Sequence, residues 1–305
     1  MLSNSLTIRN QTFHWGERTY VMGILNITPD SFSGDGLIAA TSDEMQAGGN
    51  ALMEAAVEQA RSFVSSGVDI LDVGGESTRP GAQPVSPEQE LERVLPVVRA
   101  LKSEFDIPVS VDTYRAPVAE ATLRAGADMI NDVWGLRADP NLAGVVASYG
   151  APVILMHNRS SWAHAEIKER LGGRYVGIPY KDLLEDIKRE LMESVDLAHA
   201  AGIADEAIIL DPGIGFGKTV AQNLELINCL DEFRSLGYPL LLGPSRKSFI
   251  GYTLDLPPDQ RLEGTLAALS VGIVRGADIV RVHDVQAAMR VVRMTDAIVR
   301  RGGSC

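Results

Sequence analysis

The stretch IILDPGIGFGKT, residues 208–219, runs from an apolar segment into three glycines and ends in Gly-Lys-Thr. A phosphate-binding P-loop would need a glycine at position 212, where this chain has Pro212. The dinucleotide pattern G-x-G-x-x-G would need a third glycine at position 218, where Lys218 stands. Neither motif uses Asp211. The stretch therefore predicts a buried strand that ends in a carboxylate and is followed by a tight turn.

Similar apolar runs recur along the whole chain, and there are eight of them: YVMGILN, DILDV, VSVD, MIND, VILMH, IILD, LLLG and IVRVH. They are nearly continuous, as expected of strands that are buried on both faces of a parallel sheet. Residues 52–64 and 91–101, which lie between such runs, place apolar side chains at helical spacing. Eight strands alternating with helices predict an α/β fold, a single (β/α)₈ TIM barrel. A doubly wound sheet is the alternative, although that fold usually has fewer strands.

The ends of the chain differ from this pattern. Residues 1–20 are predicted to form a short N-terminal β-hairpin extension that plugs the bottom of the barrel. Residues 21–300 are predicted to form the barrel domain, and residues 301–305 a frayed tail. Residues 33–50 make a long connection rich in Gly, Asp and Ser, which predicts a mobile functional loop.

The composition limits the possible partners. A net charge of −12 over 305 residues argues against a nucleic-acid surface, and no segment approaches the ~18 consecutive apolar residues of a membrane span. The two cysteines, Cys229 and Cys305, have neither metal nor redox spacing. We therefore expect a cytoplasmic protein that acts on small molecules without nucleic-acid or membrane partners.

Polar side chains follow the predicted strands, at the end where TIM barrels carry their chemistry. Any one of them alone could be a turn former or a helix N-cap, but the whole ring predicts a binding site. The ring comprises Asn26, Glu76, Asp112, Asn131, His157, Asp211, Lys247, Arg281 and His283.

The ring divides by charge. Asp112, Asn131 and Asp211 are acceptors, which suit a flat heterocycle with several N–H donors. The cationic side chains suit an anion such as a phosphate or a carboxylate. They are Arg79, Lys247, Arg281 and His283.

Several blocks together resemble one family, dihydropteroate synthase. They are MGILNITPDSFSGDG, DVGGESTRPGA, DPGIGFGK and GPSRKSFIG, with VDT, INDVWG and RVHDV in the same order as in that family. The resemblance implies a (β/α)₈ barrel that joins 6-hydroxymethyl-7,8-dihydropterin diphosphate to p-aminobenzoate, giving 7,8-dihydropteroate and pyrophosphate. It also implies Mg²⁺ as cofactor and a homodimer.

The family's residue roles can be placed on the matching positions. The resemblance implies pterin contacts from Asp112, Asn131, Met156, Asp211, Phe216, Gly243 and Lys247. It implies diphosphate contacts from Asn26, Arg79, Arg281 and His283, and p-aminobenzoate contacts from Phe32, Thr78, Arg79, Pro80 and Ser248. Asn26 would bind the metal, with Asp35 as a second candidate that an inserted Gly34 displaces by one position. The catalytic set would be Asp112, Asp211, Lys247 and Arg281.

Two other functions remain open. A non-catalytic pterin-binding module would share the pterin-holding Asp and Asn residues but would have no need of both STRPGA and GPSRKSF. A phosphosugar aldolase or isomerase would leave the pterin blocks unexplained. His157 and His164 lack a third ligand at a useful spacing, which favours a structural histidine over a metal site. Lys218 and Thr219 are predicted only to begin a helix.

Overall fold

The apolar runs form one parallel sheet in a computed structural model, which describes residues 4–28, 48–77, 84–168, 170–176 and 178–300. The strands are β1 (Ser5–Ile8), β2 (Gln11–His14), β3 (Tyr20–Asn26), β4 (Ile70–Gly74), β5 (Val109–Asp112), β6 (Met129–Asp132), β7 (Val153–Met156), β8 (Ala165–Lys168), β9 (Gly172–Tyr175), β10 (Ile208–Asp211), β11 (Leu241–Leu242) and β12 (Ile279–Val282). The helices are α1 (Gly48–Ser66), α2 (Pro87–Glu104), α3 (Ala116–Arg124), α4 (Leu142–Tyr149), α5 (Leu183–Ala200), α6 (Val220–Asn228), α7 (Ser248–Leu254), α8 (Leu262–Val274) and α9 (Val285–Val299).

The sheet runs in the order β10-β7-β6-β5-β4-β3-β12-β11, with every pairing parallel. Its two edge strands meet through a single parallel bridge, Leu210 to Leu240, so the sheet closes into a barrel. This confirms the (β/α)₈ prediction. All eight predicted runs contribute a strand, although LLLG supplies only Leu241 and Leu242 in regular pairing.

Side chains alternate between the inside of the barrel and the surrounding helices. An inner apolar layer from the strands packs against the β1–β2 hairpin, whose Phe13 is fully buried. This confirms the predicted hairpin and its place at the bottom. The first barrel strand begins at Tyr20, one residue before the predicted boundary. The outward-facing residues of the same strands, such as Leu71 and Val111, join the helices in a second, larger core.

Local sequence accounts for where helices begin. Ser86 caps α2 and Thr219 caps α6, each through a capping box with a glutamine three residues later. Thr219 thus begins a helix as predicted. Among the helices that the structure describes, none has both the length and the apolar character needed to cross a membrane.

One element was not predicted. Strands β8 and β9 pair antiparallel between β7 and α5 and form a hairpin outside the barrel. The 33–50 connection reaches the described residues only at Gly48, where α1 begins, and residues 33–47 and 301–305 lie outside them.

Candidate active site

Most of the predicted site residues that the structure describes lie at one end of the barrel. Asn26, Asp112, Met156 and Asp211 are the last residues of their strands, because the apolar runs that build the barrel stop there. Asn131 and Arg281 lie one residue before a strand end. Gly243 and His283 come directly after strands, and Lys247 and Ser248 begin α7. Phe32, Asp35, Thr78, Arg79 and Pro80 lie outside the described residues.

Arg281 lies between two carboxylates. Its Nε donates to Asp72 Oδ2 and its Nη2 donates to Asp112 Oδ2, both at 2.6 Å. Asn131 Nδ2 donates to the same oxygen of Asp72 at 3.2 Å. Arg281, which was predicted to bind the anion, therefore donates a hydrogen bond directly to Asp112, which was predicted to bind the heterocycle. Asp72 joins them from inside the barrel, where it is fully buried.

Asp112 has a strongly shifted acidity. Burial raises the pKa of its carboxyl to about 7, although the charge of Arg281 acts in the opposite direction. A group with such a pKa exchanges its proton near neutrality. Perturbed carboxyls of this kind at a barrel mouth are typical of functional sites.

Asp211 is held by the turn that follows it. Gly213 N–H donates to its Oδ1 at 2.7 Å, and burial raises the pKa of the carboxyl while Lys247 opposes the shift. Gly213 has a φ of +77°, and a Cβ there would lie 1.9 Å from the carbonyl oxygen of His157. Position 213 therefore requires glycine, both for its positive φ and because a side chain would not fit there. This confirms the tight turn predicted for DPGIGFG.

Lys218 is part of that turn, and the prediction that it only begins a helix was wrong. Its Nζ is buried and lies 2.8 Å from Gly213 O, 3.0 Å from Phe216 O and 3.0 Å from His157 Nδ1. His157 Nε2 lies 3.1 Å from Glu190 Oε2. Because a carboxylate only accepts, Nε2 carries the histidine proton and Nδ1 accepts from the ammonium.

This arrangement makes His157 a hydrogen-bonding residue, as predicted. Burial, and then the charge of Lys218, lower the pKa of His157 to about 3, so it is neutral at pH 7. Burial also lowers the pKa of Lys218, and Asp211 opposes that shift. Within the described residues no cluster of three or more His, Cys, Asp or Glu side chains could hold a metal ion.

Lys247 extends along the same turn. Its Nζ donates to Ile214 O and lies 4.4 Å from the centroid of the Phe216 ring. Burial lowers the pKa of Lys247 to about 8, although Asp211 acts to raise it. An ammonium beside an aromatic face and a carboxylate suits a polar heterocycle.

Asn26 and His283 form a third group. Asn26 Nδ2 lies 3.5 Å from His283 Nε2. Ser245 Oγ accepts from the His283 backbone N–H at 3.1 Å and lies 3.0 Å from Nδ1 of the ring. Ser245 therefore fixes the orientation of the imidazole.

Glu76 braces the chain through Arg115. Its carboxylate and that of Glu90 both accept from Arg115 Nη1, and Arg115 Nη2 donates to Val85 O at 2.9 Å. Arg93 donates to Gly75 O at 2.8 Å. These bonds fix the chain on both sides of residues 78–83.

Comparison with known proteins agrees with this geometry. A family model described as "Pterin binding enzyme" matches residues 22–283. A dihydropteroate synthase from Clostridium beijerinckii is 49% identical over 97% of this chain and 100% of its own length.

The chain belongs to the dihydropteroate synthase family.

Solved structures of the family superpose well. A dihydropteroate synthase from Clostridium difficile, determined in the presence of pteroic acid, has a TM-score of 0.81 at 47% identity and covers 94% of this chain and 99% of its own. The Xanthomonas albilineans synthase with 4-aminobenzoic acid has a TM-score of 0.83 at 38% identity, covering 97% and 98%. The family assignment favours the synthase over both the non-catalytic module and the aldolase.

Proposed function

We propose that this protein condenses 6-hydroxymethyl-7,8-dihydropterin diphosphate with p-aminobenzoate, releasing pyrophosphate and forming 7,8-dihydropteroate. The observation that carries the proposal is the ring of side chains at the barrel mouth, where the acceptors Asp112 and Asp211 lie beside the cations Arg281 and Lys247. Asp112, Asn131 and Asp211 would accept the N–H groups of the pterin. Arg281 and His283 would hold the diphosphate.

The reaction proceeds by departure of the diphosphate. The bond between the pterin methylene carbon and the bridging oxygen breaks, and its electron pair leaves with the pyrophosphate. The aniline nitrogen of p-aminobenzoate then attacks the methylene carbon and loses a proton. The two carboxylates, Asp112 and Asp211, stabilise the positive charge on the pterin between these steps.

Positioning contributes the other part of the catalysis, because an arylamine needs no strong base to attack a cationic carbon. Phe216 and Met156 would line the pterin, with Gly243 leaving room beside it. Lys247 would bond the pterin, and Ser248 the carboxylate of p-aminobenzoate.

The proposed cofactor is Mg²⁺, with Asn26 as a ligand. Asn26 and Asp112 converge beside Gly74, where a Cβ would be in van der Waals contact, 3.6 Å from Asn26 Oδ1 and 3.8 Å from Asp112 Oδ2. Mg²⁺ often takes only one or two protein oxygens and completes its shell with water and substrate phosphate, so a site this sparse fits it. When bound, the metal neutralises charge on the departing diphosphate.

The deciding experiment is pyrophosphate release from the purified protein with the pterin diphosphate, Mg²⁺ and p-aminobenzoate. The Asp211→Asn variant should lose about 10²–10³-fold in kcat/KM, because an amide presents a donor to pterin N–H groups. Asp231→Asn, which removes a carboxylate from an exposed ion pair with Arg275, should behave as wild type. Pterin binding without any release by the wild-type protein would establish the non-catalytic function instead.

The proposed quaternary structure is a homodimer formed through α8 and α9. Five large apolar side chains are exposed on these two helices, which pack against each other: Val271, Val274, Met294, Ile298 and Val299. Ile298 is the most exposed, at 67%. An apolar patch of this kind is typical of an interaction surface.

We also propose a cytoplasmic location, where a free thiol such as that of Cys229 stays reduced.

Sedimentation velocity tests the dimer. Ile298→Glu should shift the protein to monomer, because it places a charge on the most exposed of these apolar side chains, which the interface would bury. Leu224→Glu changes a leucine that is 44% exposed on α6 and should remain dimeric. Equal behaviour of the two variants would contradict the α8–α9 interface.

A further inference from the structure

Asp72 has an unusual environment beneath the site. It is fully buried inside the barrel, and its Oδ2 accepts both Arg281 Nε and Asn131 Nδ2. Its Oδ1 has no hydrogen-bond partner in the part of the chain that the structure describes. The same is true of Ser110 Oγ, the residue opposite it on β5.

We propose that Asp72 is a positioning residue that aims Asn131 at the pterin and Arg281 at the diphosphate, and that a pterin bound to Asp112 frees Arg281 Nη2 for the anion. The inference rests on the proposed function and adds to it a residue without substrate contact, together with a coupling between the two halves of the substrate.

The orientation of Asn131 follows from the chemistry of its partner. A carboxylate can only accept, so the NH₂ end of the amide must face Asp72 Oδ2. The carbonyl end, Oδ1, is then the end available to ligand N–H groups. An acceptor at this place is what a donor-rich ring requires.

The arrangement of Arg281 gives the coupling. Asp72 fixes the guanidinium through Nε, while Asp112 occupies Nη2. A pterin that donates to the Asp112 carboxylate shares its negative charge with Nη2 and so weakens the bond from Arg281. Since Asp72 keeps its bond, the guanidinium stays in place and turns one charged donor toward the diphosphate.

Stability alone does not account for Asp72. A buried carboxylate with one oxygen unpartnered is unfavourable for folding. Groups that are costly for folding and lie next to a site are typical of residues retained for function.

Calorimetry on the wild-type protein tests the coupling. Pyrophosphate is titrated in the absence and in the presence of saturating 6-hydroxymethyl-7,8-dihydropterin, which lacks the diphosphate. We expect pyrophosphate to bind at least about fivefold more tightly in the presence of the pterin, the lower end of typical coupling between two sites. Equal affinities would overturn the proposal.

The variant Asp72→Asn tests the positioning. It should lower kcat/KM for the pterin diphosphate about 10- to 100-fold, as removing outer partners of site ligands does in metal enzymes, and abolish the coupling. The matched control is Asp69→Asn, which removes a buried carboxylate directly before the first residue of β4, where Asp69 accepts from the Arg18 side chain and the Val21 backbone N–H. This control should keep wild-type ligand affinities even where it lowers Tm.

The outcomes separate this inference from the proposed function. A wild-type protein that releases pyrophosphate, together with equal ligand affinities in the two variants, overturns only the role of Asp72. An Asp72→Asn protein with a larger Tm loss than Asp69→Asn and with the wild-type coupling intact would make Asp72 a structural residue. Absence of pyrophosphate release and of pterin binding in the wild type would overturn the proposed function itself.

Discussion

Asp112 and Lys247 titrate close to neutral pH from opposite directions. Burial raises the pKa of Asp112 to about 7 and lowers the pKa of Lys247 to about 8. Below pH 7 the carboxyl gains a proton and stops accepting from a ligand N–H on that oxygen. Above pH 8 the ammonium loses its proton and its charge. Both groups are in their charged forms only in the narrow interval between.

We therefore predict a bell-shaped pH dependence for pterin affinity. Affinity should fall about tenfold per pH unit below pH 7 and decline again above pH 8. Calorimetry with 6-hydroxymethyl-7,8-dihydropterin between pH 5.5 and 9 measures it. In Asp112→Asn the acid limb should disappear and the alkaline limb remain. An acid limb that persists in this variant would show that another group causes it.

For individual residues, the sequence predicted the hydrogen-bond acceptors of the site better than it predicted the residues that bond to them. Asp112, Asn131 and Asp211 were predictable because each stands at or next to the end of an apolar run. Asp72 was not, since it lies inside the run DILDV and bonds Arg281, 209 positions away. Contacts across the barrel depend on strand register, which no local pattern reveals.

Among the elements, the turn between β10 and α6 has its predicted form except at Lys218. The glycines and Asp211 were interpreted correctly, but Lys218 was assigned no role. Its side chain turns back into the protein and bonds two carbonyls of the turn. A Gly-Lys-Thr sequence at a helix start gave no signal of this, because lysine is almost always exposed.

We predict that Lys218→Met weakens both the fold and the site. Because two carbonyls lose their hydrogen-bond donor, the free energy of unfolding should fall by about 1–3 kcal/mol. The turn then becomes less rigid, which should lower pterin affinity. Lys102→Met removes the ion pair with Asp128, far along the chain from the turn, and serves as the control. It should lose stability and keep its pterin affinity. Urea denaturation and calorimetry measure the two quantities; equal pterin affinities in both variants would contradict a role for Lys218 in the site.

The β8–β9 hairpin shows the other limit at this scale. The side chains of β8 are mostly exposed, so no apolar alternation marks the strand. Sequence periodicity detects strands through burial, and an exposed hairpin carries little of it.

For the whole molecule, the sequence predicted the architecture because eight buried strands leave eight apolar runs. The sequence did not predict where the hydrogen bonding between neighbouring barrel strands is weakest. That place is the junction of β10 and β11, where one bridge, Leu210 to Leu240, joins the edges. The proposed pterin site lies across this junction, with Asp211 on one side and Lys247 on the other.

Hydrogen exchange should reveal the junction. Amides of residues 238–247 should exchange faster than those of residues 109–132 in the free protein, because fewer strand pairings protect them. Adding the pterin should slow amide exchange more in residues 238–247 than in residues 109–132. A ligand that protects only residues 109–132 would show that the junction is already closed without it.

The single bridge also bears on how much of the protein a cell contains. A ligand that binds only the folded chain raises its stability in proportion to the logarithm of the ligand's concentration. Proteases remove chains that open, and differences of one or two kcal/mol change abundance several-fold. A barrel that its substrate helps to close would therefore accumulate when the pterin is plentiful and be degraded when the pterin is scarce, so that supply sets the quantity of catalyst as well as its rate.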